Sequence, residues 1–193
     1  MEKKIMIELP FTEEMLLRAK KRLENIFKDS ARRGGNFKQN TILKNGSEAG
    51  LLFEEAFLEY FPESSLVNQT GESRNKFNYD IIFQGKKCEL KAVLRTVKPS
   101  PDYVCSVNAY TSKHQIPDMY IFSSIQHKDY VPKTITLVGC LSREDFYRKA
   151  KFLKEGDRDF NNIVKKDKYN VLISQLDDII INRTHDGIDW DSV

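Results

Sequence analysis

Hydrophobic residues recur at helical spacing near the start of the chain and alternate with polar residues, as in strands, further along. Apolar positions three and four residues apart predict a helix from a capping Thr12 to about Phe27. Glu13 and Glu14 follow the cap, where acidic side chains favour the N-terminal end of the helix dipole. The next segment, residues 28–46, is basic and contains glycine, which predicts a loop or mobile arm.

A second helix is predicted from near Asn45 or Ser47 to about Phe61, because its apolar residues share one face at 100° per residue. The rest of the chain reads mainly as strands. In order, we predict a rough strand over 65–70, a hairpin over 79–95, a strand over 103–111, a short helix or turn over 112–117, strands over 119–125 and 133–141, a helix over 142–153 capped by Ser142, an exposed loop over 154–168, a strand over 169–174 and a short helix over 175–181.

This order of elements predicts an α/β fold, or an α+β fold, built around one mixed central sheet flanked by helices. No internal repeat and no second domain are evident. We divide the chain into an N-terminal helix and basic arm (1–44), a core with C-terminal helix and strand additions (45–181) and a polar tail (182–193).

The composition suits an ordinary globular domain and narrows the function little. Of 193 residues, 40% are hydrophobic and 31% are charged, and the net charge of +3 permits a polyanionic partner without requiring one. No apolar run reaches the length of a membrane span or a signal peptide, so we expect no membrane partner and a cytoplasmic protein. Cys88, Cys105 and Cys140 are far apart and lie in apolar runs, which predicts buried thiols.

The predicted hairpin carries three charged residues, although strands disfavour Asp, Glu and Lys. Side chains alternate along a strand, so Cys88 and Leu90 share one face while Glu89 and Lys91 project together from the other. Asp80 lies on the partner strand, and an antiparallel register can place it beside Glu89. Two carboxylates at that distance repel each other unless a cation or a proton lies between them.

A divalent ion is the obvious cation for such a pair, since Mg²⁺ and Mn²⁺ take oxygen ligands. Lys91, two residues along the same face, would then orient or deprotonate an attacking water or stabilise charge on a phosphate. The ordinary alternative is a cross-strand ion pair on a half-exposed sheet face. The Glu-x-Lys pattern is itself weak, because it recurs at Glu2 and Lys4, and the apolar hairpin with Asp80 supplies the specificity.

The spacing of these residues resembles the signature of the PD-(D/E)xK nuclease superfamily. Asp80 stands in the place of the first acid, and Glu89-Leu90-Lys91 resembles the ExK part of the motif. Tyr79 stands where the family pattern has Pro. The likeness covers about residues 45–125 and implies a restriction-endonuclease-like fold, here with a helical N-terminal extension. The stretch from Tyr120 onward is similar to small phage and bacterial nucleases of this group.

The resemblance implies that an acid on the preceding helix completes the metal site. Glu48 suits this role best, with Glu55 as second choice, whereas Glu54 points further out. An acid in a first turn can alternatively serve the helix dipole alone. The resemblance also implies that the backbone carbonyl of Leu90 ligates the ion, and that Mg²⁺, with Mn²⁺ able to substitute, is the cofactor.

Basic and polar residues around this site are candidates for contacts with a phosphate backbone. A solvated loop is the alternative for the basic arm. The DNA-binding candidates are Arg32, Arg33, Lys38 and Lys44 in the arm, Arg74 and Lys76 in the loop before the hairpin, and Lys113 and Gln115 in the segment that resembles the family's second core helix.

The resemblance implies a metal-dependent deoxyribonuclease that leaves 5′-phosphate and 3′-hydroxyl ends. Double-stranded DNA is the expected substrate. The expected site of action is the cytoplasm of a bacterium or a phage-infected cell. A homodimer is expected where both strands are cut. Two alternatives stay open: an inactive DNA-binding module of the same fold in replication, recombination or packaging, and a structural protein with an ion-paired sheet.

Overall fold

The computed structural model describes residues 4–9, 11–32, 46–67 and 79–179. Its helices are α1 (Glu13–Arg32), α2 (Gly46–Tyr60), α3 (Ala109–His114) and α4 (Arg143–Lys149). Its strands are β1 (Ile7–Leu9), β2 (Ser65–Leu66), β3 (Ile81–Phe83), β4 (Lys86–Arg95), β5 (Val104–Asn108), β6 (Met119–Lys128), β7 (Val131–Ser142), β8 (Lys151–Leu153), β9 (Arg158–Asp159), β10 (Asn162–Ile163) and β11 (Lys168–Leu172).

The centre of the fold is a six-stranded mixed sheet in the order β1-β7-β6-β4-β3-β2. Strands β4 and β6 pair in parallel, and the other neighbours pair antiparallel. A separate three-stranded antiparallel sheet has the order β5-β11-β8, and β9 and β10 form a small hairpin. The α/β class with a mixed central sheet is therefore confirmed.

The two faces of the central sheet are covered by different hydrophobic cores. Helices α1 and α2 cover the first face, where Phe57 on α2 meets Phe83 on β3 edge to face at 5.2 Å. The second core lies on the opposite face and combines Tyr120 and Phe122 of β6 with Phe146 of α4. It also includes the inward residues of the small sheet, so β4 and β6 are covered on both sides.

Most of the predicted elements are present, with shifted ends. Helix α1 continues to Arg32 rather than ending near Phe27, because the chain contains no helix breaker before Gly34. The predicted strand 103–111 ends at Asn108, whose Oδ1 accepts a hydrogen bond from the N–H of Tyr110 at 2.9 Å and so caps α3. Strand β2 covers only two residues of the predicted 65–70 within the described part of the chain.

The C-terminal third holds the main errors of the sequence-based prediction. Ser142 caps α4 as predicted, but the helix ends at Lys149 and residues 151–153 pair with β11 as a strand. Residues 154–168 contain the β9–β10 hairpin instead of a plain loop. The short helix predicted over 175–181 is wrong from residue 176 to the end of its described part, because a 3-10 helix ends at Gln175 and Asp177 pairs with Cys140 of β7 in an isolated bridge. The edge strand β1 was not predicted.

Glycine is required at one point of the central sheet. Gly139 has φ +138 and follows a bulge in β7, where a Cβ would lie 2.6 Å from the Asp177 carbonyl oxygen and 2.8 Å from Leu176 Cβ. The backbone of Asp177 is tied to Cys140 by two hydrogen bonds of 2.9 Å and has little room to shift.

We expect Gly139→Ala to lower the free energy of unfolding by about 2–4 kcal/mol, from backbone strain plus the clash. Gly156→Ala is the matched control, since Gly156 has φ +91 but nothing within 4 Å of the added Cβ. It should cost only about 1 kcal/mol. Urea denaturation of both variants measures the difference, and equal losses would contradict the proposed clash.

Candidate functional site

The hairpin turn brings Asp80 against the backbone of β4. Gln84 (φ 49) and Gly85 (φ 74) form a two-residue turn of the type that suits the twist of a hairpin. The regular register ends at Ile81–Cys88, and the N–H of Asp80 also donates to the Cys88 carbonyl at 3.0 Å, so Asp80 is out of register with Glu89. The N–H of Leu90 in turn donates to Asp80 Oδ2 at 2.9 Å. The Asp80 carboxylate is therefore held against the β4 backbone next to Glu89.

Glu89 is a buried carboxylate with one unsatisfied oxygen. It lies in the interior of the sheet opposite Tyr120 of β6, and only 2% of its surface is exposed. Oε1 accepts a hydrogen bond from Lys91 Nζ at 2.5 Å. Oε2 is buried and has no hydrogen-bond partner among the described residues. A buried charged oxygen without a partner is costly, which indicates a cation or a proton that binds there.

Lys91 links the buried carboxylate to the surface. Its side chain is 20% exposed, against 3% for the side chain of Glu89. The predicted alternation of faces is confirmed, since Cys88 and Leu90 lie in the first core and Glu89 and Lys91 project toward the side of the second core. The alternative of an ion pair on a half-exposed sheet face does not fit Glu89, because the second core covers its side chain.

Aromatic and basic side chains surround the buried carboxylate. Burial raises the pKa of the Tyr120 hydroxyl, and neighbouring Tyr147 and the negative charge of Glu89 raise it further, while Arg143 opposes them. The Tyr147 hydroxyl donates to the Ser112 carbonyl at 2.9 Å, which ties α4 to α3. The Arg143 guanidinium lies 5.3 Å from the centre of the Tyr147 ring.

Arg143 is the functional candidate that the sequence did not reveal. Its Nε is buried without a hydrogen-bond partner in the described part of the chain. It stands at the first position of α4 after the cap of Ser142, and this position was its only signal in the sequence. A guanidinium with an unsatisfied N–H close to a carboxylate site is suited to bind a phosphate oxygen.

The helix acids have different surroundings. Glu48 lies in the first turn of α2, and its side chain is outside the described part of the structure. Glu55 accepts hydrogen bonds from Arg18 at 2.8 Å and Arg22 at 2.9 Å, one on each oxygen. Glu54 is buried and paired with Arg22 at 2.5 Å, so the prediction that it points outward is wrong. These contacts place Glu55 at the α1–α2 interface, and the choice of Glu48 as the helix acid stays a prediction.

The predicted DNA contacts are only partly described. Arg32 is the last residue of α1, whereas the others in the arm and the pre-hairpin loop lie outside the described residues: Arg33, Lys38, Lys44, Arg74 and Lys76. Lys113 is exposed on α3. Gln115, just after α3, has a buried Oε1 with no hydrogen-bond partner among the described residues. Gln115 follows by three residues Ser112, whose carbonyl accepts from the Tyr147 hydroxyl.

The donor set fits a hard divalent cation held by few protein ligands. The expected ligands of such an ion are the carboxylates of Asp80 and Glu89, with the Leu90 backbone carbonyl on β4 as the resemblance implies. Within the described ranges, no group of three or more His, Cys, Asp or Glu side chains is arranged to hold a metal. Mg²⁺ suits such a two-acid site because it usually binds through one or two carboxylates and retains several waters.

The cysteines take no part in this site. Burial raises the pKa of Cys88 and Cys105 to about 12 and that of Cys140 to about 11. All three are free thiols. The predicted burial is confirmed for Cys88 and Cys105, while Cys140 is partly exposed.

Comparison with protein-family models, with curated proteins and with solved structures gives no match for this chain. In the described ranges, no helix combines the length and the apolar character needed to cross a lipid bilayer.

Proposed function

We propose that the protein is a metal-dependent nuclease of the restriction-endonuclease-like type that hydrolyses DNA phosphodiester bonds. The observation that carries this proposal is the buried, unpartnered Oε2 of Glu89, on the strand whose Leu90 N–H holds the Asp80 carboxylate and on the same side of β4 as Lys91. A merely structural ion pair needs neither a second carboxylate nor an unsatisfied oxygen. A divalent ion would satisfy both.

Asp80, Glu89, the Leu90 carbonyl and Glu48 would hold one or two Mg²⁺ ions. The bound ion would supply Lewis-acid stabilisation of the phosphate charge and a more acidic attacking water. Asp80 is positioned for this by the Leu90 N–H, which fixes one carboxylate oxygen and orients the other. Mn²⁺ should substitute, because it accepts the same oxygen ligands.

Lys91 would act at the boundary between the buried carboxylate and the substrate. Its ammonium donates to Glu89 Oε1 and is near enough to solvent to meet a phosphate oxygen or the attacking water. As an ammonium it would orient that water or stabilise charge on the phosphate, and it could deprotonate the water only as a neutral amine. The water oxygen bonds to phosphorus and the bond from phosphorus to the 3′ oxygen breaks, while the water's proton passes to solvent or to a neutral Lys91 amine and the 3′ oxygen takes up a proton. The products are 5′-phosphate and 3′-hydroxyl ends.

Arg143 would position the scissile phosphate, with Gln115 and Lys113 along the adjoining segment. Double-stranded DNA is the proposed substrate, and the arm and loop cations would follow its backbone: Arg32, Arg33, Lys38, Lys44, Arg74 and Lys76. A homodimer would place one site on each strand. We propose action in the cytoplasm of a bacterium or a phage-infected cell, where such DNA is present.

The Lys91–Glu89 ion pair also supports a second candidate, a DNA-binding module of the same fold without cleavage. The pair neutralises Glu89 in part and would persist in an inactive relative. Incubation with circular and linear, double- and single-stranded DNA in Mg²⁺, Mn²⁺ or EDTA separates the two. Metal-dependent products with 5′-phosphate ends support the nuclease, whereas a gel shift with every substrate intact supports the binding module.

Metal-linked stability gives a second test of the shared site. We expect Asp80→Asn to melt at a higher temperature than the wild type in EDTA, because one of two facing carboxylates loses its charge while the amide oxygen still accepts from Leu90. Saturating Mg²⁺ should raise the melting temperature of the wild type by several degrees, at about 2–4 °C per kcal/mol, and leave the variant nearly unchanged. A thermal melt in which both proteins respond alike to Mg²⁺ would count against a shared site.

A further inference from the structure

A second polar cleft lies on the outer face of the small sheet. Strand β5 alternates, so Cys105 and Val107 enter the second core while Ser106 and Asn108 face outward. The outward residues form the floor of an open cleft of about 840 Å³. Its walls come from β11 and from the segment after β10, and the lining includes Asn162, Ile163, Lys165, Lys166 and Lys168.

The cleft carries more positive charge than its own acid neutralises. Asp159 is the acid in its lining, and it accepts from Lys168 at 2.5 Å and from Asn170 at 3.0 Å. Burial opposes ionisation of Asp159, but the hydrogen bonds from Lys168 and Asn170 keep its pKa below the usual value. Lys165 and Lys166 form no ion pair with a described residue, and both are exposed. Two unpaired cations at one edge of a cleft attract a phosphate chain.

An exposed aromatic ring stands in the hairpin turn between two residues of the cleft lining, Asp159 and Asn162. Phe160 is 75% exposed and has φ +53 at the first turn position between β9 and β10. That position favours Gly, Asn or Asp, and a bulky residue is strained there. Phe160 therefore contributes neither core packing nor turn stability. Ile163, in the lining of the cleft itself, is also exposed, at 58%.

We infer that this cleft binds an unpaired strand of nucleic acid, with phosphates on Lys165 and Lys166 and a base stacked on Phe160. Cations combined with an exposed ring are the usual elements of single-strand recognition, because every base offers a flat face to an aromatic side chain. An acidic protein segment would use the lysines but would not need the ring. The inference builds on the proposed function, for which it adds a contact to unpaired DNA at overhangs, flaps or melted segments.

Fluorescence anisotropy in EDTA tests the cleft without any cleavage. We expect Phe160→Ala to weaken binding of a labelled single-stranded oligonucleotide about tenfold. Tyr130→Ala is the matched control, since Tyr130 is also an exposed aromatic residue with positive φ (65) in a hairpin turn. The melting temperature of Phe160→Ala should stay at or above that of the wild type, because no buried contact is lost.

Salt dependence tests the two lysines. We expect Lys165→Gln with Lys166→Gln to reduce the slope of log K against log salt by about 1.4, at about 0.7 per phosphate contact with a single strand. Lys128→Gln with Lys133→Gln removes the same charge elsewhere and should change the slope much less. The inference is overturned if the cleft variants bind like the wild type, if the controls lose as much, or if wild-type protein binds no single-stranded DNA.

The outcome is separable from that of the nuclease proposal. Each proposal has its own measurement, because single-strand affinity is measured in EDTA, where no cleavage occurs, and cleavage is measured in Mg²⁺. If the wild-type protein binds the oligonucleotide but never cleaves DNA, the nuclease proposal is refuted and the proposed single-strand site in the cleft stands. If the cleft variants cleave DNA and bind single strands as the wild type does, the proposed single-strand site is refuted and the nuclease proposal stands.

Discussion

Lys91→Ala should abolish metal-dependent DNA cleavage and, in EDTA, lower the free energy of unfolding by about 3–5 kcal/mol. The stability loss follows from the surroundings of Glu89, whose side chain is 3% exposed and whose Oε1 is neutralised by Lys91 at 2.5 Å. Without the ammonium, both carboxylate oxygens are buried and unpaired. The loss of cleavage, about 10²- to 10⁴-fold, follows from the loss of the group that orients or deprotonates the water.

Added Mg²⁺ separates a metal site from a structural ion pair in this variant. If Asp80 and Glu89 hold the ion, Mg²⁺ should restore most of the lost stability of Lys91→Ala, because the ion replaces the ammonium as counter-charge. Cleavage should stay low despite this rescue. Urea denaturation with EDTA or with Mg²⁺ measures the first effect, and single-turnover cleavage measures the second.

Lys86→Ala is the matched control on the same strand, since Lys86 is exposed in β4 and should change neither property by much. The pair Glu89→Gln with Lys91→Met should regain stability in EDTA without regaining cleavage, because it removes the buried charge altogether. A Lys91→Ala protein that is as stable as Lys86→Ala would show that Glu89 is not charged in the folded state. One that is unstable and unaffected by Mg²⁺ would favour the structural ion pair.

The hairpin was predictable because its determinants are local. Alternation in β4 and a Gln84-Gly85 turn suffice to place Cys88 and Leu90 inward and to bring Asp80 beside β4. The pairing of Asp80 with Glu89 that the register allowed is not formed, because the regular register ends at Ile81–Cys88 and the Asp80 carboxylate is held by the Leu90 N–H. The burial of Glu89 was not predictable in the same way. It depends on a second core assembled from β5, β6, α4 and β11, which are distant in sequence and meet only in the fold.

Errors elsewhere have equally specific causes. Strands β1 and β8 are three residues long and owe their form to pairing with β7 and β11, not to any alternation of their own. Residues 175–179 carry helix-compatible residues, but the close approach of β7 at Gly139 holds Asp177 in an extended bridge. Arg143 was missed because one arginine at a helix start carries no pattern, and only its contact with the Tyr147 ring and its charge effect on Tyr120 distinguish it.

The acids of α2 show how a distant partner changes the role of a residue. Periodicity predicted that Glu54 points outward and Glu55 lies at the edge of the apolar face. Helix α1 lies against that edge and supplies Arg22, whose pKa is raised by Glu54 and Glu55 against the opposing effect of burial. Because α2 also carries Glu48 in its first turn, this contact fixes the helix on which the proposed site depends.

Arg22→Ala should therefore lower the free energy of unfolding by about 3–5 kcal/mol, a large part of the total for a domain of this size. Arg22 donates to Glu54 at 2.5 Å and to Glu55 at 2.9 Å, and all three side chains are at most 10% exposed. Its loss leaves two buried carboxylates adjacent and without that cation. At about 2–4 °C per kcal/mol, the melting temperature should fall by roughly 6–20 °C.

Arg18→Ala is the matched control, because Arg18 pairs with the same Glu55 but is 38% exposed. It should cost no more than about 1 kcal/mol, as partly exposed ion pairs do. Replacing the whole cluster, with Arg22→Met, Glu54→Leu and Glu55→Leu together, should restore or exceed wild-type stability, since packed apolar side chains replace buried charges at no desolvation cost. If Arg22→Ala and Arg18→Ala lower the free energy of unfolding by similar amounts, solvent exposure does not determine how much these ion pairs contribute to stability. A triple variant less stable than Arg22→Ala would instead show that the charges specify how α1 packs on α2, and through α2 the position of Glu48.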